Sequence, residues 1–147
     1  MFDPLEYAVL ARQLLAADLD ASVEGRRVSE ECRFRVALGR AYYALFLSIR
    51  NAIARQHGIR VGWINHGLLH TYMRHLKAGP EVQALGHELR RLYALRQQAD
   101  YEMNPTPEWH RKLTDSRYVE LMTKQAIAGA ATLDQLDFGP VLELMRG

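Results

Sequence analysis

The run Ala41-Tyr42-Tyr43-Ala44-Leu45-Phe46-Leu47-Ser48-Ile49 decides the fold, because it carries no charge on any side. It lies inside a longer helical stretch that Ser29 opens and that reaches about Gln56. Ser29 is the predicted N-cap, and Glu30 and Glu31 set negative charge against the positive end of the helix dipole. A helix that is apolar all round is enclosed by other elements. Residues 41–49 therefore predict the buried centre of a helical bundle. Gly39, two residues before this run, weakens the helix and predicts a neighbour in close approach.

Working outward, Leu and Ala total 39 of 147 residues against 13 Val and Ile, a bias toward helix over strand. A first helix opens at Asp3-Pro4-Leu5-Glu6, with Asp3 as N-cap, Pro4 in the first turn and Glu6 at the capping-box position. It is expected to end near Asp18. Residues 21–28, with Gly25, Arg26 and Arg27, read as a loop. A third helix starts near Asn65 and stops before Gly79-Pro80. Pro80 opens a fourth that reaches Tyr101, where Asn104-Pro105-Thr106-Pro107 breaks it. A short turn over residues 107–113 leads to a last helix from about Asp115 to Gln135, with the seam Val119, Met122, Ala126, Gly129, Leu133 and Leu136. The expectation is one all-α domain over residues 1–147, an antiparallel up-down bundle of about five helices.

Composition narrows function. Hydrophobic residues are 48% and charged residues 24%, as in an ordinary globular protein. A net charge of +2 is too mild for a protein that coats nucleic acid. The lone Cys32 can form neither an internal disulfide nor a thiolate metal site, and it reads as a packed structural cysteine. Asp3 and Glu6 stand where a secretory signal needs positive charge. The longest stretch free of acids and bases, residues 61–73, contains Asn65, His66, His70 and Thr71, so it is too short and polar to span a membrane. A cytoplasmic protein with no membrane partner is expected.

The fourth helix carries an anomaly. Val82, Leu85, Leu89 and Leu92 follow a three-four alternation that continues to Arg96, Ala99 and Met103. Arg96 thus occupies a core position, with Asp100 one turn on. A cation there must be paired. Either an Arg96–Asp100 pair clips the helices together, with Tyr43 or Tyr101 as a further partner, or a cleft or subunit interface presents the guanidinium to phosphate.

Three segments resemble the HEPN superfamily of helical bundles. Gly39-Arg40-Ala41-Tyr42-Tyr43-Ala44-Leu45-Phe46 is similar to its second-helix signature. His66-Gly67-Leu68-Leu69 resembles the start of its third helix, and Leu95-Arg96-Gln97-Gln98-Ala99-Asp100-Tyr101 its fourth-helix segment. The resemblance covers roughly residues 5–136 and is nearest to small members encoded beside minimal nucleotidyltransferases. It implies a homodimer with the fourth-helix motif in a cleft near the dimer interface. Many members are metal-independent endoribonucleases of toxin–antitoxin or defence modules; others are non-catalytic partners that bind RNA, a nucleotide or a nucleotidyltransferase. Arg96, Asp100 and Tyr101 are then the candidate catalytic residues, and Arg40, Tyr43 and His66 the candidate RNA or nucleotide contacts. No cofactor or metal is implied.

One departure matters. The family's catalytic Arg is followed four to six residues later by a His, and here Tyr101 stands five residues after Arg96. Metal-free cleavage needs a base for the ribose 2′-hydroxyl, an acid for the leaving oxygen and positive charge for the phosphorane. Arg96 supplies charge, but a phenol is a poor base near neutrality, and pairing with Arg96 weakens Asp100 in that role. Arg50 with His57 and Arg60 with His66 repeat the spacing away from the fourth helix, as chance allows among 16 Arg and 6 His. His66 and His70 share a helix face but lack further ligands for a metal, and His70 reads as solvated. Tyr42 reads as a core aromatic, whereas Tyr43 and Tyr101, beside Arg40 and Arg96, stay open as core or base-stacking residues. Arg26-Arg27 and Arg90-Arg91 read as solvated charge.

Overall fold

Ser29 caps the longest helix as its sequence predicts: its Oγ accepts the Cys32 N–H at 3.1 Å. The computed structural model describes residues 2–16, 22–23, 26–27 and 29–147, the four residues 22, 23, 26 and 27 by backbone alone. The elements are α1 (Leu5–Ala16), β1 (Ser22–Val23), β2 (Arg26–Arg27), α2 (Glu30–His57), α3 (His66–Met73), α4 (Pro80–Tyr101), α5 (Pro107–Thr114), α6 (Ser116–Ala130) and α7 (Gly139–Arg146). Single 3-10 turns at Val61–Trp63, Leu76–Ala78 and Leu133–Gln135 link them. The chain is all-α, apart from the two-residue antiparallel pairing of Ser22 with Arg27 and Val23 with Arg26.

Helix α2 is the axle. Its 28 residues span about 42 Å, and Ala41, Tyr42, Ala44, Leu45, Phe46 and Ile49 are buried. Helices α1, α4 and α6 pack on it; α3 lies on α4, and α5 on α2 and α6. Gly58, at φ 64°, ends α2 in the left-handed region that favours glycine. The core runs continuously from Ala11 to Val141. No helix among the described residues is long and apolar enough to cross a membrane.

The structure has seven helices among the described residues where the sequence predicts about five. Helix α3 stops at Met73, because His75 Nδ1 accepts the Lys77 N–H at 3.1 Å and starts a separate turn. Helix α6 ends at Ala130 instead of Gln135; Thr132 Oγ1 donates to the Gly129 carbonyl at 2.9 Å, and a 3-10 turn follows. The seam continues across that break, since Leu133 is still buried while Leu136 is half-buried. The expected short turn at 107–113 is a full eight-residue helix. Helix α7 is an addition: Asp137 Oδ1 receives the Gly139 N–H at 2.9 Å, and Phe138 and Val141 enter the core. Residues 21–28, expected as a loop, contain the β1–β2 pairing. The expected end of the first helix at Asp18, and Gly25, lie outside the described residues. At the N-terminus Asp3 Oδ1 accepts the Leu5 N–H at 3.0 Å, but Glu6 makes no return bond, so the capping box is half made.

Two glycines mark contact points between helices. A Cβ on Gly129 would stand 2.9 Å from Leu85 Cδ1, and one on Gly86 would stand 2.7 Å from Met73 Cβ and 3.0 Å from the Met73 carbonyl carbon. The Gly86 contact involves backbone, so α3 and α4 must separate to admit a methyl group. Alanine is favoured over glycine by about 1 kcal/mol within a helix, but overpacking a tight core costs about 1–3 kcal/mol. Gly86→Ala is expected to lower the urea midpoint with the slope unchanged; an unchanged or raised midpoint contradicts the close α3–α4 approach.

Candidate functional site

Gly39 and Tyr43 are one turn apart on α2, and Arg96 and Asp100 one turn apart on α4, so each pair shares a face. The faces meet. Arg96 Nε donates to Asp100 Oδ2 at 3.2 Å. Its Nη2 donates to the Tyr43 hydroxyl at 2.8 Å and to the Tyr101 hydroxyl at 2.9 Å. A Cβ on Gly39 would lie 3.2 Å from Asp100 Oδ1, which explains the glycine ahead of the apolar run. The expected Asp100 pair forms, and both further partners, Tyr43 and Tyr101, join it.

The cluster is graded in exposure. The Arg96 side chain is 8% exposed and that of Asp100 29%, whereas Tyr101 is 67% exposed. The guanidinium carbon sits 5.0 Å from the Tyr43 ring centroid, 5.2 Å from Tyr101 and 5.7 Å from Tyr42. Burial alone would lower the Arg96 pKa, but Tyr43, Tyr101, Asp100 and Tyr42 outweigh it and the net shift is upward. Burial pushes the Tyr42 phenol well up, against the opposing pull of Arg96, so it stays protonated. The Tyr42 hydroxyl donates to the His66 carbonyl at 3.5 Å and stands 3.4 Å from His66 Nδ1.

The remaining predicted contacts join at the margin. The Arg40 guanidinium lies 4.9 Å from the Tyr7 ring centroid and 5.4 Å from that of Tyr43, while its Nε is buried without a partner. His66 is exposed at the start of α3, where Asn65 Oδ1 accepts the Gly67 N–H at 2.8 Å. It reaches the cluster only through Tyr42 and packs its ring against Phe46 and Tyr93.

Some expectations are corrected. Met103 does not continue the α4 seam: the helix has ended, and the side chain is 89% exposed. Cys32 is exposed, because it lies on the outer face of the first turns of α2. His70 is buried instead of solvated, turned inward beside Tyr93 at a ring separation of 5.2 Å. Neither Arg50 with His57 nor Arg60 with His66 forms a hydrogen bond or ion pair. Among the described residues, no three His, Cys, Asp or Glu side chains gather to hold a metal ion.

Two positioning residues escape the sequence patterns. Arg35 Nη1 donates to the carbonyls of Gln98, Ala99 and Glu102 at 3.2, 3.2 and 2.7 Å, and its Nε and Nη2 hold Glu31 at 3.1 Å. This cation from α2 occupies the negative end of α4, whose last turn has no basic residue of its own. That missing base is the available signal. Tyr7, the platform under Arg40, has no comparable mark in the sequence.

Chemically, Arg96 is an internal organiser. Its Nε and one Nη already donate inward, so its charge acts through the groups around it. Because the Tyr43 and Tyr101 oxygens accept from Arg96, each phenol keeps its own proton to donate elsewhere. Asp100 adds a partly exposed carboxylate, and Tyr101 an exposed ring face. No protein-family model, curated protein or solved structure matches the chain.

Removing Arg96 takes the common donor from a carboxylate and two hydroxyls and leaves its own buried position empty. Arg96→Ala is expected to cost about 3 kcal/mol, as for other broken buried pairs, while Tyr101→Phe costs less than about 1.5 kcal/mol, one hydrogen bond at a rim. Equilibrium urea unfolding checks both; equal losses would contradict a central Arg96.

Proposed function

We propose that this chain is a HEPN-like helical bundle that acts as a homodimer and binds RNA or a nucleotide through the α2–α4 cluster, as a component of a toxin–antitoxin or defence module. The observation that carries this reading is convergence. The three segments on which the resemblance rests, residues 39–46, 66–69 and 95–101, are far apart in the chain, yet they touch. Arg96 bonds Tyr43, Asp100 lies against Gly39, and Tyr42 reaches His66. Matches of chance letters have no reason to meet in space.

The cluster's chemistry suits recognition. The Tyr101 ring offers a stacking platform for a base, and the phenol protons of Tyr43 and Tyr101 suit phosphate oxygens. The parts of a metal-independent endoribonuclease also stand together, with Asp100 as base, a phenol as acid and Arg96 as fixed charge. Asp100 is committed to Arg96, however, so binding is the better supported role.

A second reading, a non-catalytic partner of a nucleotidyltransferase, draws on one observation. Beside Asp100, an open concavity of about 490 Å³ is bordered by Val36, Ala99 and the exposed Met103 together with Cys32, Glu31 and Arg35. Such a mixture of small apolar and charged side chains suits a protein surface.

The test uses purified full-length protein and a mixed structured RNA pool in EDTA. Retention should fall as salt rises, and Tyr101→Ala should weaken it by about tenfold, the loss of one stacked base. Retention untouched by both Tyr101→Ala and Asp100→Asn contradicts the assignment of the cluster. Cleavage that disappears in folded Asp100→Asn would make the chain a ribonuclease. Capture of a nucleotidyltransferase without RNA retention would favour the second reading.

A further inference from the structure

The opposite side of α4 carries a separate constellation. With about 3.6 residues per turn, His87 and Ala94 lie across the helix from Arg96. On that side α3, α4, α5 and α6 enclose an open cavity of about 620 Å³, within the size range of small-ligand sites. Its charge is all of one sign. Arg90, Arg91 and Lys112 line it, and no Asp or Glu does.

Cations gathered on one wall, with acids only outside it, repel one another, so their grouping suits an anion. Neither Arg90 nor Arg91 forms a hydrogen bond or ion pair with any described residue. Glu88 lies outside the lining, 3.5 Å from where a Cβ on Gly129 of α6 would stand, although Arg91 is near enough to favour its charged form against burial. Lys112 has one acid near it, the outward-facing Glu108 at 3.8 Å. Its Nζ rests 4.9 Å from the Trp109 ring centroid, which holds it at the cavity wall.

The same cavity is lined by three aromatic side chains, Tyr93, Trp109 and Tyr118. An inorganic anion has no use for ring faces; a ligand that carries both a flat ring and negative charge uses both kinds of wall. The buried His70 closes the inner end, and its Nδ1 has no hydrogen-bond partner. Burial, and then the charges of Arg74 and Arg90, hold the His70 pKa below its ordinary value, so its ring is a neutral hydrogen-bonding group and not a fourth cation.

We propose that this cavity is a nucleoside phosphate site, in which the base stacks on Trp109 beside Tyr118 and the phosphates are held by Arg90, Arg91 and Lys112. The site is distinct from the α2–α4 cluster and does not rest on its assignment. Arg90, Arg91 and Lys112 gather around one concavity, which suits the compact charge of a free nucleotide.

Tryptophan fluorescence tests this directly. The protein has two tryptophans, and Trp63 sits in the turn at Val61–Trp63 outside the cavity, so Trp63→Phe leaves Trp109 as the sole reporter. ADP, GDP, CDP and UDP are titrated in turn into this full-length variant. At least one should quench Trp109 saturably. The matching nucleoside and inorganic pyrophosphate should each bind at least about tenfold more weakly, as should the same nucleotide to the Arg90→Gln/Arg91→Gln variant. Both arginines are exposed and unbonded, so that variant should fold, as circular dichroism would verify; Lys112→Gln gives an independent second test. Lys124→Gln, exposed on α6 and outside the cavity, should leave this titration unchanged; because Trp109 is the reporter, failure here is distinct from failure of the α2–α4 assignment. The proposal is overturned if none of the four nucleotides binds, if pyrophosphate or the nucleoside binds equally well, or if a single-stranded oligoribonucleotide binds far more tightly than any of them.

Discussion

A buried guanidinium in the seam between α2 and α4 constrains everything around it. A cation removed from water is tolerable only when its donors are met and its charge is answered. Arg96 meets that condition with a carboxylate from its own helix, a phenol from its own helix and a phenol from α2. The helix pair cannot slide without breaking at least one of these bonds, so the polar knot sets register where leucines alone would allow drift. Gly39 completes the fit by leaving room for the Asp100 carboxylate.

From this knot an aromatic network crosses the molecule. Tyr7 lies 6.3 Å from Tyr43, Tyr43 5.3 Å from Tyr42, Tyr42 5.8 Å from Tyr93, and Tyr93 5.2 Å from His70, measured between ring centroids. One end is the α1–α2 surface under Arg40; the other is the wall of the basic cavity. Tyr93 therefore belongs to the packing of one site and the lining of the other. Helix α4 serves both, with a saturated cation on one side and unsaturated cations on the opposite side.

Much of this is legible in sequence because strong local rules act there. Ser29, Pro80 and Asp115 mark helix starts, and the uncharged run 41–49 marks the bundle's centre. Arg96 stands out because a three-four alternation makes a charge conspicuous. Sequence falls short where tertiary contacts decide. The sequence pattern ends at Leu136, yet α7 begins at Gly139, since Phe138 and Val141 have a core to enter. His70 reads as solvated because nothing local reveals that its side of α3 turns toward Tyr93. Arg35 and Arg90 are both surface arginines by pattern. Only the fold shows that one ties off a helix 63 residues away and the other lines a cavity.

The tie made by Arg35 bears on motion. The last turn of a helix ordinarily opens and closes far more readily than its middle, since few bonds hold it. Asp100 and Tyr101 occupy that weak position, yet three carbonyls around them are gripped from the buried axle of the bundle. Releasing the end of α4 means releasing part of α2 as well. Two side chains at a terminus thus gain the opening free energy of an interior segment. Such stiffness keeps a polar cluster in one geometry between encounters with whatever it meets.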